Sequence, residues 1–401
     1  MANISDKYVI VGGGLAGASA IEGIRERDQK ESILLVTGEK HLPYDRPPLS
    51  KKLWFGKKKV DDIFLHSKDF YVQNNITVAL GVTIKSLDVR NKTVTDDKGI
   101  SYSFKKLLLA TGGIPRTLAM QGGTMEGICY YRTLDDFATI RQEATEGKSA
   151  VIIGGGFIGS EMAAALARNN IDVTMMFPAP YLVHRLFPEH LSRAIQKLYL
   201  SHGIKILAGE MPSGFSKNNS KFVTYTLSNK KIESDMIIIG IGIVPSLELA
   251  RNVGLLTANG IIVNEYLQTS FPDIYAAGDN AFFPYSVLGK QMRIEHWDNA
   301  LNQGKTAGRN MAGANESYLY MPYFFSDMFE FGYEAVGDVD ASLKTFADWQ
   351  KENETGVIYY LKDGKVRGAM MCNVWKKVET ARQLIRRAER VTPKKLLGAI
   401  R

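Results

Sequence analysis

Two stretches of this chain have the residue types and spacing to cradle a pyrophosphate. Gly12-Gly13-Gly14-Leu15-Ala16-Gly17 follows the apolar run Val9-Ile10-Val11, and Gly154-Gly155-Gly156-Phe157-Ile158-Gly159 follows Val151-Ile152-Ile153. In each, Gly-x-Gly-x-x-Gly stands between a short apolar strand and a helical pattern. The first glycine makes the tight turn and the second lets backbone approach the phosphates. The third lets helix and strand pack closely, and the helix N-terminus faces the negative charge. One such loop is a weak signal. Two loops, each behind its own strand, imply two dinucleotides. The usual reason to hold two is hydride transfer from a nicotinamide to a flavin.

The elements that would position these loops also repeat. The first loop leads through a helix to strand Ile33–Val36, and later comes Lys106-Leu107-Leu108-Leu109-Ala110-Thr111-Gly112-Gly113. The second leads through helix Ser160–Asn169 to strand Asp172–Phe177, and Asp235–Gly242 closes it. Continuous apolar runs with a glycine exit read as central parallel strands, and their alternation with helices as a doubly wound sheet. Ile274-Tyr275-Ala276-Ala277-Gly278-Asp279 is a further strand with a glycine exit, which returns the chain to the first domain. From about Met321 the pattern changes to short strands such as Gly356–Leu361 and Val366–Cys372. They are joined at Lys362-Asp363-Gly364-Lys365, and a basic helix follows near Val378–Arg390. The predicted fold is α/β: two doubly wound dinucleotide-binding domains plus a small α+β C-terminal domain. Residues 1–117 and 244–320 would form a discontinuous FAD-binding domain, 118–243 the NAD(P)H-binding domain, and 321–401 the C-terminal domain.

A chain of 401 residues exceeds one ordinary core. No apolar run is long enough for a transmembrane helix, and the first strand starts too early for a cleavable signal, so the expected location is cytoplasmic. The two cysteines, Cys129 and Cys372, are far apart, and neither a C-x-x-C pair nor a metal-ligand cluster occurs, so no metal site is expected. The net charge is +8, with clusters at Lys51-Lys52, Lys57-Lys58-Lys59, Lys376-Lys377, Arg386-Arg387-Arg390 and Lys394-Lys395. Such clusters are either solvated surface or a steering field for an acidic protein; no motif supports nucleic-acid binding.

Several motifs in order give the chain a family resemblance. They are the first glycine loop; Pro43-Tyr44-Asp45-Arg46-Pro47-Pro48-Leu49-Ser50-Lys51; Ala110-Thr111-Gly112-Gly113; Gly154 to Glu161; Gly278-Asp279; Glu295-His296-Trp297-Asp298; and Phe325-Ser326-Asp327. Over nearly its whole length the chain resembles the FAD-dependent ferredoxin and rubredoxin reductases, which share the glutathione-reductase-like architecture. Gly332–Gly337 and Gly356–Leu361 look most like the apoptosis-inducing factor branch, without the long C-terminal insertion of the animal protein.

The resemblance implies roles position by position. For FAD it implies Gly12, Gly14, Leu15, Ala16, Gly17, Ala110, Thr111, Gly112 and Gly278, with Glu39 on the adenosine ribose, Ile84 at the adenine, and Arg46 and Arg132 as cationic contacts. Asp279 would accept from a ribitol hydroxyl, and Glu295, His296, Trp297 and Phe325 would lie near the flavin. For NAD(P)H it implies Gly154, Gly156, Phe157, Ile158, Gly159, Glu161, Arg185, Gly242 and Glu334. Lys51 and Glu161 would meet beside the flavin N5 as the catalytic pair, Lys51 stabilising negative charge on reduced flavin and Glu161 holding the nicotinamide carboxamide.

Two departures stand out. Phe325 takes a position that is usually Trp in this group, and Met176-Phe177-Pro178-Ala179 ends the second nucleotide strand without an acid. The missing acid leaves both NADH and NADPH open as donors. No cysteine lies between Pro47 and Lys51, where disulfide reductases of this architecture carry a pair, so the acceptor is expected to be external. A ferredoxin- or rubredoxin-type carrier, a quinone, a small oxidant or oxygen would serve. The rival reading is a slow redox sensor in which NAD(P)H drives a change of shape or dimerisation. The oligomeric state stays open, a homodimer included.

Overall fold

The computed structural model describes residues 3–400. The chain divides into two compact units: residues 1–45, 60–114 and 244–323, and residues 46–59, 115–243 and 324–401.

In the first unit, strand Asn3–Val11 pairs parallel with Ile33–Thr37 on one side and with Ser101–Leu109 on the other. Ile76–Leu80 adds parallel to Ile33–Thr37, and Ile274–Ala276 adds parallel to the end of Ser101–Leu109. Strand Ile33–Thr37 is buried at every position, and Leu107–Leu109 are buried at the end of strand Ser101–Leu109, as the interior of a parallel sheet requires. The start of Ser101–Leu109 pairs antiparallel with Thr93–Asp96, which pairs with Ile84–Asp88. This one long strand therefore serves two sheet regions.

Helix Leu15–Arg25 lies against helix Trp297–Met311 at unusually short range. A Cβ added at Gly304 would stand 2.3 Å from the Ala16 carbonyl oxygen, and one at Gly308 would stand 2.1 Å from that of Ala20. Those glycines let the backbone of the later helix reach the first glycine-loop helix and fix its start.

The second unit repeats the plan. A parallel sheet runs in the order Lys205–Ala208, Asp172–Phe177, Ser149–Ile153, Met236–Ile239, Ile128–Tyr130. An antiparallel meander, Pro212–Asn218, Lys221–Thr226 and Lys231–Ser234, accompanies it. Phe215 and Phe222 from the meander join Val151, Ile153, Met176, Ile237 and Ile239 in one apolar cluster. The C-terminal part is a five-stranded sheet in the order Tyr323–Met328, Phe331–Gly337, Lys365–Cys372, Thr355–Lys362, Lys344–Lys351. Tyr333, Tyr359, Tyr360 and Met370 are fully buried within it. Helix Val378–Arg387 packs Ala381 and Ile385 inward and leaves Arg386 and Arg387 exposed, while Arg382 is largely covered.

Candidate active site

The two glycine loops are built alike at their first and third glycines. Gly12 has φ +120° and Gly154 φ +125°, in the range where a side chain is strained. A Cβ at Gly12 would stand 2.1 Å from the Ala110 carbonyl oxygen, and one at Gly154 would stand 2.3 Å from that of Gly240. The third glycines are equally enclosed: a Cβ at Gly17 would meet the Gly12 oxygen at 2.1 Å, and one at Gly159 the Gly154 oxygen at 2.1 Å.

The middle glycines are different. A Cβ at Gly14 or Gly156 would find no atom within 4 Å. Each is the N-cap of an eleven-residue helix, and neither supplies a side-chain cap. The first-turn N–H groups of a helix have no partner within it and carry the positive end of its dipole. Open space in front of such a helix start fits a dinucleotide pyrophosphate, so the residues present suit FAD and NAD(P)H.

Around the first loop, Gly278 has φ +88° and comes so near the helix start that a Cβ there would stand 2.9 Å from the Ala16 Cβ. This brings the half-buried Asp279 next to the loop. The Gly278 N–H donates to Gln303 Oε1 at 2.9 Å, and Asn280 Nδ2 donates to the Leu109 oxygen and to Thr111 Oγ1. Asn280 Oδ1 and Gln303 Nε2 are buried without a partner among the described residues, which leaves hydrogen-bonding capacity beside Asp279. The Tyr44 hydroxyl donates to Glu39 Oε2 at 2.5 Å, and the Glu39 carbonyl accepts from Gly81 at 2.9 Å. Ile84 is buried in its strand. His296 caps helix Trp297–Met311, and burial pushes its pKa down to about 4 against the opposing charge of Asp279, so its ring is neutral near pH 7. Trp297 Nε1 donates to Asp45 Oδ1 at 2.6 Å, and Glu295 is ion-paired with Arg293.

In the second unit, segment 47–51 brings two charges together. Pro47–Ser50 forms a 3-10 turn, with Pro at its first positions, and Lys51 caps it. Lys51 Nζ stands 3.1 Å from Glu161 Oε1, with Lys51 8% and Glu161 6% exposed. Two hydroxyls that the sequence reading did not single out complete the arrangement. Ser50 Oγ donates to Glu161 Oε2 at 2.5 Å, and Ser326 Oγ donates to Glu161 Oε1 at 2.5 Å. Phe325 lies under Lys51, with Nζ 4.5 Å from its ring centroid. Phe thus supplies the cation–π face without an indole N–H.

Tyr333 and Tyr199 stand near the Glu161 charge, and burial together with that charge pushes both phenols up, so neither ionises at neutral pH. Arg46 Nη1 donates to the Arg132 carbonyl at 2.9 Å. Around the second loop, Phe157 packs edge-on to Phe324, and Ile158 is 37% exposed. Gly242 has φ +99° with open space at its Cβ position. Glu334 is half-buried, its Oε2 has no hydrogen-bond partner among the described residues, and burial raises its carboxyl pKa. Arg185 is exposed.

Both cysteines are free, and burial pushes both thiols up, which disfavours the reactive thiolate. Among the described residues no group of His, Cys, Asp and Glu could hold a metal ion, and no helix is long and apolar enough to cross a membrane.

Comparison with known proteins agrees with this geometry. Residues 6–304 match the pyridine nucleotide-disulphide oxidoreductase family, and residues 307–355 match the C-terminal family of mitochondrion-associated apoptosis-inducing factor. The chain is 34% identical to rubredoxin-NAD(+) reductase of Pseudomonas putida over 80% of its length and 83% of the relative. It is 33% identical to apoptosis-inducing factor 1 of Dictyostelium discoideum over 94% of its length and 78% of the relative. Among solved structures, putidaredoxin reductase in covalent complex with putidaredoxin superposes with a TM-score of 0.91 at 30% identity, covering 98% of this chain and 95% of that one. The chain therefore belongs to the pyridine nucleotide-disulphide oxidoreductase family, in its FAD-dependent ferredoxin and rubredoxin reductase group, and is an NAD(P)H-dependent flavoprotein oxidoreductase.

Proposed function

We propose that the first glycine loop holds FAD, the second holds the nicotinamide dinucleotide, and the electrons leave to an external acceptor, a small iron–sulfur carrier protein first among them. The observation that carries this is the pair of matched cradles, each enclosed at its outer glycines and open at Gly14 or Gly156. FAD held in the first loop would supply a hydride-accepting, electron-passing group, and the nicotinamide dinucleotide would be the hydride source. The chain itself positions and stabilises charge. Lys51 would offer its cation to the negative charge of reduced flavin. Glu161, held by the Ser50 and Ser326 hydroxyls, orients Lys51 and would accept from the nicotinamide carboxamide. The N–H groups at the start of helix Trp297–Met311 would supply hydrogen-bond donors for the flavin pyrimidine. No side chain is needed to move a proton at the hydride step.

The acceptor is external because the segment that would carry a redox dithiol is Pro47–Lys51, and both cysteines are buried or half-buried elsewhere. The basic clusters suit an acidic carrier. A second reading, a slow redox sensor, is favoured by one observation: the match to the apoptosis-inducing factor C-terminal family. A cytoplasmic location is our reading of the free cysteines.

Turnover of the purified protein with NADH and NADPH against ferredoxin, rubredoxin, a quinone and oxygen tests the proposal. Fast turnover with a carrier protein supports the reductase. Rapid flavin reduction followed by slow reoxidation with every acceptor would favour the sensor instead.

A further inference from the structure

The internal repeat locates, residue by residue, the position that chooses between NADH and NADPH. In the first unit Gly12 N–H donates to the Val36 oxygen at 2.8 Å, Val82 to Thr37 at 2.9 Å, and Gly81 to Glu39 at 2.9 Å. In the second unit Gly154 donates to the Met176 oxygen at 2.8 Å, Glu210 to Phe177 at 3.2 Å, and Gly209 to Ala179 at 3.0 Å. The neighbouring glycines agree: a Cβ at Gly13 would stand 2.7 Å from Thr37 Cβ, and one at Gly155 would stand 2.7 Å from the Phe177 ring. Phe177 therefore corresponds to Thr37, and Ala179 to Glu39. Phe177 is buried beneath the loop and does not face a ribose. Ala179 occupies the place from which an acid would bond the adenosine ribose, and it carries only a methyl group.

An acid at that place accepts from the ribose 2′-hydroxyl and repels a 2′-phosphate, whereas a nearby arginine accommodates the phosphate. Here the acid is gone and basic residues follow. The Val183 N–H donates to the Gly155 oxygen at 2.9 Å, which returns the chain after the strand to the glycine loop. His184 and Arg185 come next, both exposed, and neither forms an ion pair among the described residues. The Arg185 carbonyl is tied by the Ala341 N–H at 2.9 Å, which fixes the backbone from which its guanidinium projects.

We propose that the second loop accepts the 2′-phosphorylated coenzyme, NADPH, at least as well as NADH, with Ala179 as the permissive position and Arg185 as the phosphate-binding side chain. The inference rests on the reading that the second loop holds the nicotinamide dinucleotide.

Two measurements test it together: kcat/KM for both coenzymes, and calorimetric binding of adenosine 2′,5′-bisphosphate against adenosine 5′-monophosphate to the purified holoprotein. The wild type should use NADPH no worse than NADH and bind the bisphosphate more tightly than the monophosphate. Arg185→Ala should cost NADPH and the bisphosphate about tenfold more than their unphosphorylated counterparts. Ala179→Glu should reverse the coenzyme preference by about tenfold or more. An NADH preference in the wild type, or a ratio that moves in neither variant, overturns the assignment while leaving the second loop as the nicotinamide site. Failure of both coenzymes to reduce the flavin would overturn that underlying reading too.

Discussion

The Lys51–Glu161 pair can be tested as a thermodynamic unit with Lys51→Met, Glu161→Gln and the double variant. At 3.1 Å, two unit charges attract by about 5 kcal/mol at an effective dielectric of 20, before the cost of taking both out of water. Removing one partner strands the other. Such losses are about 3–5 kcal/mol for a buried pair. Lys51→Met should fall at the low end, because Glu161 keeps the Ser50 and Ser326 hydroxyls. Glu161→Gln leaves Lys51 with the Phe325 face alone among the contacts described above and should cost more. The double variant removes both charges, so it should recover about 2 kcal/mol or more relative to the sum of the singles. Denaturant unfolding followed at the tryptophans measures this. Trp54 reports on the right region, since its Nε1 donates to the Leu49 oxygen at 2.7 Å. In rapid mixing with NAD(P)H, Lys51→Met should slow flavin reduction about tenfold or more. Additivity within about 0.5 kcal/mol, together with a wild-type reduction rate, would refute the reasoning.

Other consequences follow from the same geometry. Gly12→Ala should destabilise the first unit severely, because its Cβ would collide with the Ala110 carbonyl; Gly14→Ala should fold normally yet lose FAD, seen as a colourless protein with an unchanged unfolding midpoint. His296 is held neutral, with its pKa lowered to about 4 from an ordinary value near 6.5, so its contribution to stability is complete above about pH 6.5 and is lost as pH falls toward 4. The unfolding midpoint of His296→Asn should fall less between pH 7 and pH 5 than that of the wild type, and equal falls would contradict the role of burial. The flavin should be FAD held without a covalent bond, so acid precipitation should leave it in the supernatant; flavin in the pellet, or FMN, would contradict the first-loop assignment.

The glycine loops were legible because their requirement is local: a positive φ and a near carbonyl demand glycine wherever the motif occurs. The parallel strands were legible for a similar reason, since burial on both faces writes a continuous apolar run. Other parts depend on contacts that no local pattern records. Ser50 and Ser326 reach Glu161 across 111 and 165 residues of chain, and serine is so common at surfaces that neither stood out. Each is adjacent in sequence to a residue that did, Lys51 and Phe325, and that adjacency was the available signal. Residues 46–59 lie among first-unit segments in sequence yet pack in the second unit, where the Tyr131 hydroxyl donates to the Leu49 carbonyl at 2.5 Å. The missing acid at the second strand was visible as composition, but its position was not. Only the backbone hydrogen bonds distinguish Phe177, buried under the loop, from Ala179.

The central claim is that two like loops hold two different dinucleotides, one accepting hydride from the other. Anaerobic single-turnover reduction of the wild type and of Gly156→Ala tests it most directly, with flavin content measured in the same samples. A methyl at Gly156 meets no atom of the protein within 4 Å, so the variant should fold and keep a full complement of FAD. The wild-type flavin should bleach on mixing with NADPH or NADH, and the variant should stay yellow at the same coenzyme concentration. Loss of FAD from Gly156→Ala with its fold intact, or reduction at the wild-type rate, would contradict the division of labour between the loops.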